Sequence, residues 1–308
     1  MKSESKKNLA ASVRQRLLTI SQQRKEPFDL VLVKFGIERL LYRLSQSRHA
    51  DKFLLKGAML FTLWSEGMHR PTRDVDLLGF GESDANELKS VFIDLCVLTV
   101  EPDGLTFTPT SVKSVPIRDN AAYPGVRVTM EARLENARVP LQVDIGFGDI
   151  VTPEPEDVRF PVILEFDTPK LRAYPVYTVI AEKLEAMVHL GEANTRMKDF
   201  FDLWFLSQNF SFEGSILRDA IIRTFERRRT TLPESPPPAL SVAFADQKTA
   251  AWRAFLSRNG LGTLSMEATL NAIGGFVMPV MDAAFSKTTF AFAWTAKRGW
   301  RAAPGTRT

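Results

Sequence analysis

Three aspartates stand on two segments patterned as strands. Asp74 and Asp76 lie in Arg73-Asp74-Val75-Asp76-Leu77-Leu78, and Asp144 lies in Val139-Pro140-Leu141-Gln142-Val143-Asp144-Ile145-Gly146-Phe147. Side chains alternate across a strand, so Asp74 and Asp76 share one face while Val75 and Leu77 share the other. In the second segment Val139, Leu141, Val143, Ile145 and Phe147 form the apolar face, and Asp144 points away from it. Three carboxylates would then project from the polar side of one sheet. Same-face neighbours on a strand lie about 6.6 Å apart, near enough for their carboxylates to converge on two ions about 3.5–4 Å apart. Such hard oxygen donors suit Mg²⁺, which commonly binds through one or two carboxylates plus substrate phosphates. The chemistry on offer is in-line displacement at phosphorus. One Asp-x-Asp alone would read as a solvated strand face; the third aspartate, acid-out on an apolar-in strand, favours the functional reading.

Those strands need elements to hold them. Residues from about 8 to 48 carry apolar positions at helical spacing (Leu9, Val13, Leu17, Leu18, then Leu30, Val33, Leu40, Leu41, Leu44), interrupted around Pro27. The stretch from Lys52 to Trp64 reads as a short strand end or turn followed by a helix. The acidic strand is expected at about 73–80, and Ser83 is expected to cap a helix reaching about residue 97. Val126, Val128, Met130, Ala132 and Leu134 alternate with polar residues, and Glu135-Asn136-Ala137-Arg138 turns this strand back into the Asp144 strand as an antiparallel hairpin. Residues 152–157 read as a loop, and 161–166 as a final strand. Beyond about residue 176 the chain is helical, with Val179, Ile180, Leu184, Met187 and Val188 on one face and Phe200, Phe201, Leu203, Trp204 and Leu206 on the next helix. Pro233 to Pro238 is a stiff loop, and the last sixty residues hold further helices. The expected fold class is α+β: a mixed-sheet core with flanking helices over residues 1–170, and a helical C-terminal domain over 171–308.

A chain of 308 residues with 44% hydrophobic and 25% charged residues can bury a sizeable core. The single cysteine, Cys96, excludes an intramolecular disulfide and a multi-cysteine metal site, and its apolar setting suits a buried, inert thiol. His49, His69 and His189 lack zinc-ligand spacing. The polar start and the lack of an apolar run of about 18 residues predict a cytoplasmic protein with no membrane segment. The net charge of +4 mildly favours a polyanionic partner. Basic clusters at Arg14–Lys25, Arg218–Arg229 and Lys297–Arg301 fit either solvated helix faces or RNA contacts.

Four blocks, in order, carry a resemblance: Phe53-Leu54-Leu55-Lys56-Gly57-Ala58-Met59-Leu60-Phe61; Arg70-Pro71-Thr72-Arg73-Asp74-Val75-Asp76; Val143-Asp144-Ile145-Gly146-Phe147-Gly148-Asp149; and Ala181-Glu182-Lys183-Leu184 with Arg196-Met197-Lys198-Asp199-Phe200-Phe201-Asp202. Together with the lead-in Phe35 to Ser45, the chain resembles the AbiEii/AbiGii toxin nucleotidyltransferases of the polymerase-β-like superfamily over about residues 10–260. The resemblance implies a Mg²⁺-dependent enzyme of a toxin–antitoxin system. It would move nucleotides from an NTP to RNA, at the acceptor end of tRNA, and would have a cognate antitoxin. Transfer to a protein hydroxyl, a non-catalytic RNA-binding protein and a metal-dependent nuclease are the other readings of these residues.

Within that resemblance Asp74, Asp76 and Asp144 are the metal ligands, with Asp144 beside the acceptor and Asp149, past the strand, as the alternative third acid. Lys56-Gly57-Ala58 stands where the superfamily has Gly-Gly or Gly-Ser, a place where a helix N-terminus meets phosphates; Ala58 keeps the closeness and lacks the hydroxyl. Thr72 would bond phosphate or metal-bound water, and Arg70 and Arg73 would meet the triphosphate. Lys183 corresponds to the family's nucleotide-contacting lysine and Asp199 to its functional acid. Asp202 is expected to be structural, paired with Lys198.

Overall fold

A computed structural model describes residues 2–65, 70–117 and 125–303, with backbone alone for 2–8. His69 lies outside the described residues. The chain divides into two compact units, one of residues 1–148 and 156–174 and one of residues 149–155 and 175–308.

The first unit opens with α1 (Lys2–Arg24) and α2 (Phe28–Gln46). Pro27 has no N–H to give and precedes α2 as its N-cap, which is where the sequence breaks. Then come β1 (Phe53–Lys56), a 3₁₀ turn (Gly57–Leu60), α3 (Phe61–Trp64), β2 (Asp74–Gly79) and α4 (Ala85–Val97). Asp84, one residue beyond the expected Ser83, caps α4 by accepting from the Asn86 and Glu87 N–H groups at 2.7 and 2.8 Å. The long strands β3 (Leu105–Ile117), β4 (Gly125–Leu134) and β5 (Ala137–Phe147) follow, then β6 (Glu156–Arg159) and β7 (Lys170–Ala173). The seven strands form one mixed sheet in the order β3-β4-β5-β2-β1-β7-β6. β2 runs parallel to β5 and β1 to β7; the other pairings are antiparallel. The expected strand at 161–166 is absent, and the strands on either side of it pair with one another instead. Glu156 and Asp157, expected in a loop, begin β6.

Period two decides the core. The alternating valines and leucines of β4 and β5, with Val75 and Leu77 of β2, are buried, leaving the intervening polar residues on the opposite face. α2 packs on β5 so closely that a Cβ at Gly36 would lie 2.8 Å from Val139 Cγ1 and 2.9 Å from Leu141 Cδ2. α2 also buries charge. Arg39 Nε and Arg43 Nη1 donate to Asp103 at 3.1 and 2.6 Å, and the Ile163 N–H donates to Glu38 at 2.7 Å. Cys96 is half-buried, and burial pushes its thiol up to about 11.

Burial likewise pushes Glu38 up to about 7, against the pull of the Ile163 N–H and Arg39. Its folded value stands above the ordinary 4.5, so the folded state binds more protons between the two. Its contribution is therefore intact below about 4.5 and is lost as pH rises through about 7. We expect Glu38→Gln to match the parent at low pH and to exceed it by up to about 3 kcal/mol near pH 8. Denaturant midpoints across that range measure this, and a difference independent of pH would remove Glu38 as the titrating group.

The second unit holds α5 (Val176–Leu190), α6 (Met197–Asn209), β8 (Phe212–Glu213), α7 (Gly214–Arg228), α8 (Val242–Asn259), α9 (Met266–Phe285) and the hairpin β9 (Phe292–Thr295) and β10 (Gly299–Ala302). The hairpin, which joins β8 in a three-stranded sheet, departs from the purely helical expectation. Its tryptophans account for it: Trp294 and Trp300 close around Phe276 of α9, and their indole N–H groups bond the Ser207 and Phe276 carbonyls at 2.8 Å each. Among the described residues α9 alone is long and apolar enough to cross a membrane by length and mean hydropathy; it is interrupted by Glu267, Asn271 and Asp282, and half of it is buried in the protein.

Candidate active site

The two-residue turn Glu135-Asn136 sets the β4–β5 ladder from Leu134↔Ala137 to Arg127↔Asp144 and beyond. The parallel pairing of β2 with β5 sets Asp76 opposite Asp144 and Asp74 opposite Gln142. On the other side of β2, Lys56 of β1 stands opposite Asp76. Opposed residues share a face, with neighbouring strands about 4.8 Å apart. One row of side chains thus crosses four strands as Lys56, Asp76, Asp144, Arg127, with signs plus, minus, minus, plus. Asp74 lies on the same face, one step along β2.

Each acid is held. Thr72 Oγ1 donates to Asp74 Oδ1 at 2.7 Å, so the threonine orients a carboxylate. Arg127 grips Asp144 as a fork, Nε to Oδ1 at 2.8 Å and Nη2 to Oδ2 at 2.7 Å, and Gln142 Nε2 adds bonds at 3.3 Å to both oxygens. Gly57 turns beside Asp76 with φ +75°, and a Cβ there would overlap the Asp76 carboxylate. This glycine is required both by its backbone and by the acid it abuts. The helix N-terminus expected here is a four-residue 3₁₀ turn followed by the four residues of α3. So short an element has little dipole to offer a phosphate. The Lys56 ammonium lies 5.1 Å from the Tyr174 ring centroid. Arg73 pairs with Asp29 of α2 at 2.7 Å on the surface; the guanidinium bond is the main cause that holds the Asp29 carboxyl below its usual range.

Arg127 and Gln142 escaped the sequence reading. The signal was present: once the turn at Glu135-Asn136 is placed, counting back along the ladder brings Arg127 opposite Asp144.

In the second unit Lys183, Asp199 and Asp202 gather. Lys183 of α5 donates to Asp199 Oδ1 and lies against Asp202 Oδ2, each at 2.8 Å, and Arg196 Nε reaches Asp199 Oδ2 at 2.7 Å. Asp202 pairs with Lys183 where Lys198 was expected, because α6 turns Asp202 into the core, where it is 0% exposed. Burial pushes the Asp199 carboxyl up, yet Lys183 and Arg196 outweigh it and hold the carboxyl below its ordinary range. Asp149 is held by Arg228 at 2.9 Å; the same guanidinium reaches Glu185 at 2.9 Å and Glu182 at 3.3 Å. Burial pulls the Arg228 value down, and the three carboxylates more than reverse it. One arginine of the Arg227-Arg228-Arg229 run is therefore an internal clamp. Arg223, Arg227 and Arg229 stay exposed and, with Ile150 and Glu226, line an open depression.

A family model described as "Nucleotidyl transferase AbiEii toxin, Type IV TA system" matches residues 39–285. The chain belongs to the AbiEii family. It is therefore a nucleotidyltransferase of a type IV toxin–antitoxin system, and the match contains every aspartate and lysine of both constellations. A comparison with curated proteins finds no match. Among solved structures, JHP933 from Helicobacter pylori is 14% identical with a TM-score of 0.45, covering 81% of this chain and 88% of that one. A candidate nucleotidyltransferase from H. pylori is also 14% identical, with a TM-score of 0.40 and 81% and 91% covered.

The AbiEii family implies a divalent cation. Among the described residues no three His, Cys, Asp or Glu side chains are gathered tightly enough to hold one as they stand. The donor chemistry nonetheless fits. Asp74 and Asp76 are half-exposed on one strand face, and Mg²⁺ asks for only one or two carboxylates when substrate phosphates complete its octahedron. Both oxygens of Asp144 are engaged by Arg127.

Proposed function

We propose that this AbiEii toxin transfers nucleotides from an NTP to RNA in the cytoplasm, preferring the acceptor end of tRNA, with Mg²⁺ as cofactor and a cognate antitoxin restraining it. The observation that carries the reading is the charged row Lys56, Asp76, Asp144, Arg127 with Asp74 beside it, on the polar face of a sheet whose other face is core. In the reaction an RNA hydroxyl oxygen bonds to the α-phosphorus. The bond to the bridging oxygen breaks, and pyrophosphate leaves with its electron pair. The hydroxyl proton passes to Asp144 or to water. Mg²⁺ bound at Asp74 and Asp76, and at Asp144 once Arg127 yields, would supply charge neutralisation for the triphosphate. Thr72 keeps Asp74 aimed, Gly57 leaves room for Asp76, and Lys56 adds a cation to the row. Arg73, freed from its exposed pair with Asp29, is assigned to the triphosphate. Lys183 and Asp199 are assigned to the nucleotide as the family resemblance implies, the lysine as a point charge for phosphate held in a fixed position.

Incubation with each radiolabelled NTP, Mg²⁺ and total cellular RNA and protein tests this reading. Labelled tRNA is the expected product; label in protein alone would move the acceptor to a protein hydroxyl.

The RNA assignment is supported by the α7 depression, where three exposed arginines face one glutamate. Replacing Arg223, Arg227 and Arg229 together with alanine is expected to weaken tRNA binding and to lower the slope of log affinity against log salt by about 2, at ~0.7 per lost single-strand phosphate contact. Fluorescence titration across salt concentrations measures the slope. An unchanged slope would return these arginines to the solvated surface.

A further inference from the structure

We propose that Arg127 is a positioning residue that holds Asp144 in reserve and hands it over when a triphosphate arrives. The proposal rests on the nucleotidyltransferase reading of the site and adds an order to it. Arg127 forks onto both Asp144 oxygens at 2.8 and 2.7 Å, and Gln142 donates to each at 3.3 Å, so the carboxylate's lone-pair sites are engaged and a cation at Asp144 would have to displace a donor. Guanidinium and cation therefore compete for one carboxylate. A cation arriving alone meets Asp144 already engaged by the guanidinium.

A triphosphate changes the balance. Its oxygens match the planar fork as well as a carboxylate does, and they carry more charge. Arg127 is placed to exchange one for the other: its side chain is 41% exposed while that of Asp144 is 18% exposed, so solvent already reaches the arginine end of the pair. Gln142, which donates to both Asp144 oxygens at 3.3 Å, keeps the carboxylate oriented during the exchange. The row across the sheet accounts for why the device stands here. Asp76 and Asp144 are adjacent like charges, and Lys56 and Arg127 are the cations that flank them. A cation held by these acids would supply the same compensation, leaving the Arg127 guanidinium available to phosphate. The reserve also disfavours metal loading without substrate and so couples assembly of the site to the nucleotide.

The test is Mn²⁺ binding to the full chain without nucleotide, read from the signal of free Mn²⁺, alongside NTP affinity. Arg127→Gln is expected to bind Mn²⁺ about tenfold tighter, the scale of one lost charge-assisted pair, and to bind NTP about tenfold more weakly. Arg127→Lys, which keeps the charge and loses the fork, should fall between parent and Arg127→Gln in both measurements and serves if the glutamine variant folds poorly. Asp144→Asn combined with Arg127→Gln should lose the gain in Mn²⁺ affinity. A purely structural strap predicts unchanged or weaker Mn²⁺ binding in Arg127→Gln, and that result would overturn the reserve. Tighter Mn²⁺ with unchanged NTP affinity would overturn the hand-over. If the parent transfers no label from any NTP, the enzymatic reading fails, and the Mn²⁺ comparison still decides whether Arg127 withholds Asp144.

Discussion

Asp76→Ala is expected to lower nucleotide transfer by about a thousandfold or more, as loss of a metal ligand at a phosphoryl-transfer centre does. Asp74→Ala is expected to do the same. The fold should survive either change. Both aspartates are half-exposed on the polar face, and the buried members of β2 are Val75, Leu77, Leu78 and Gly79. Label incorporation at limiting and saturating Mg²⁺ measures the loss, with thermal melting as the control. Growth gives a second readout: the parent expressed without its antitoxin should arrest cells, and Asp76→Ala at equal abundance should not. Binding through arginines and RNA phosphates would survive loss of one carboxylate, so an Asp76→Ala protein as toxic as the parent would assign the toxicity to sequestration.

Lys183→Ala is expected to destabilise the second unit by about 3–5 kcal/mol, the usual cost of removing one partner from a buried ion cluster. The resemblance gives Lys183 a contact with the nucleotide, and its surroundings in the fold add a structural role. The physical reason is the company Lys183 keeps. Asp199 and Asp202 have side chains 2% and 0% exposed, and both take a 2.8 Å contact from this ammonium. Without it both buried carboxylates lose a 2.8 Å cationic contact, and Arg196 reaches Asp199 from a half-exposed position. Chemical denaturation measures the effect, and combining Lys183→Met with Asp202→Asn should recover much of it. A Lys183→Ala protein as stable as the parent would show that the cluster is not what holds α5 to α6. The pH dependence carries a sign as well. The folded Asp199 carboxyl titrates below its ordinary value of 3.8, so its contribution is present above that value and is lost as pH falls through the lower folded one.

Much of the first unit is legible in the residues themselves. Alternation in β4 and β5 assigns buried and exposed faces because a strand has period two, and the same rule places Asp74, Asp76 and Asp144 on the polar side. Pro27 separates two helices because it cannot donate into the first turn of a continuing one. The order of motif blocks was enough to imply the AbiEii family. Local signals were weaker where competing residues could do one job: Asp84 rather than Ser83 caps α4, since both sit before the same helix and the carboxylate reaches both free N–H groups. The β9–β10 hairpin was missed because its strands are four residues each and are held by tryptophans packed on a distant helix.

By itself, then, the sequence determined which side chains face the polar side of each strand and which chemistry three carboxylates there can serve, because both follow from residue type and local period. Which strand lies beside which was decided only by the tertiary structure. Parallel pairing of β2 with β5 is a contact between segments some sixty residues apart, and no local propensity encodes it. That pairing sets Asp76 opposite Asp144, and the β4–β5 ladder sets Arg127 on the same carboxylate. Packing likewise divided the arginine run of α7, sending Arg228 inward to three acids and leaving its neighbours in solvent. A charge is worth what its surroundings make it, and surroundings are assembled from parts of the chain that meet only when it folds.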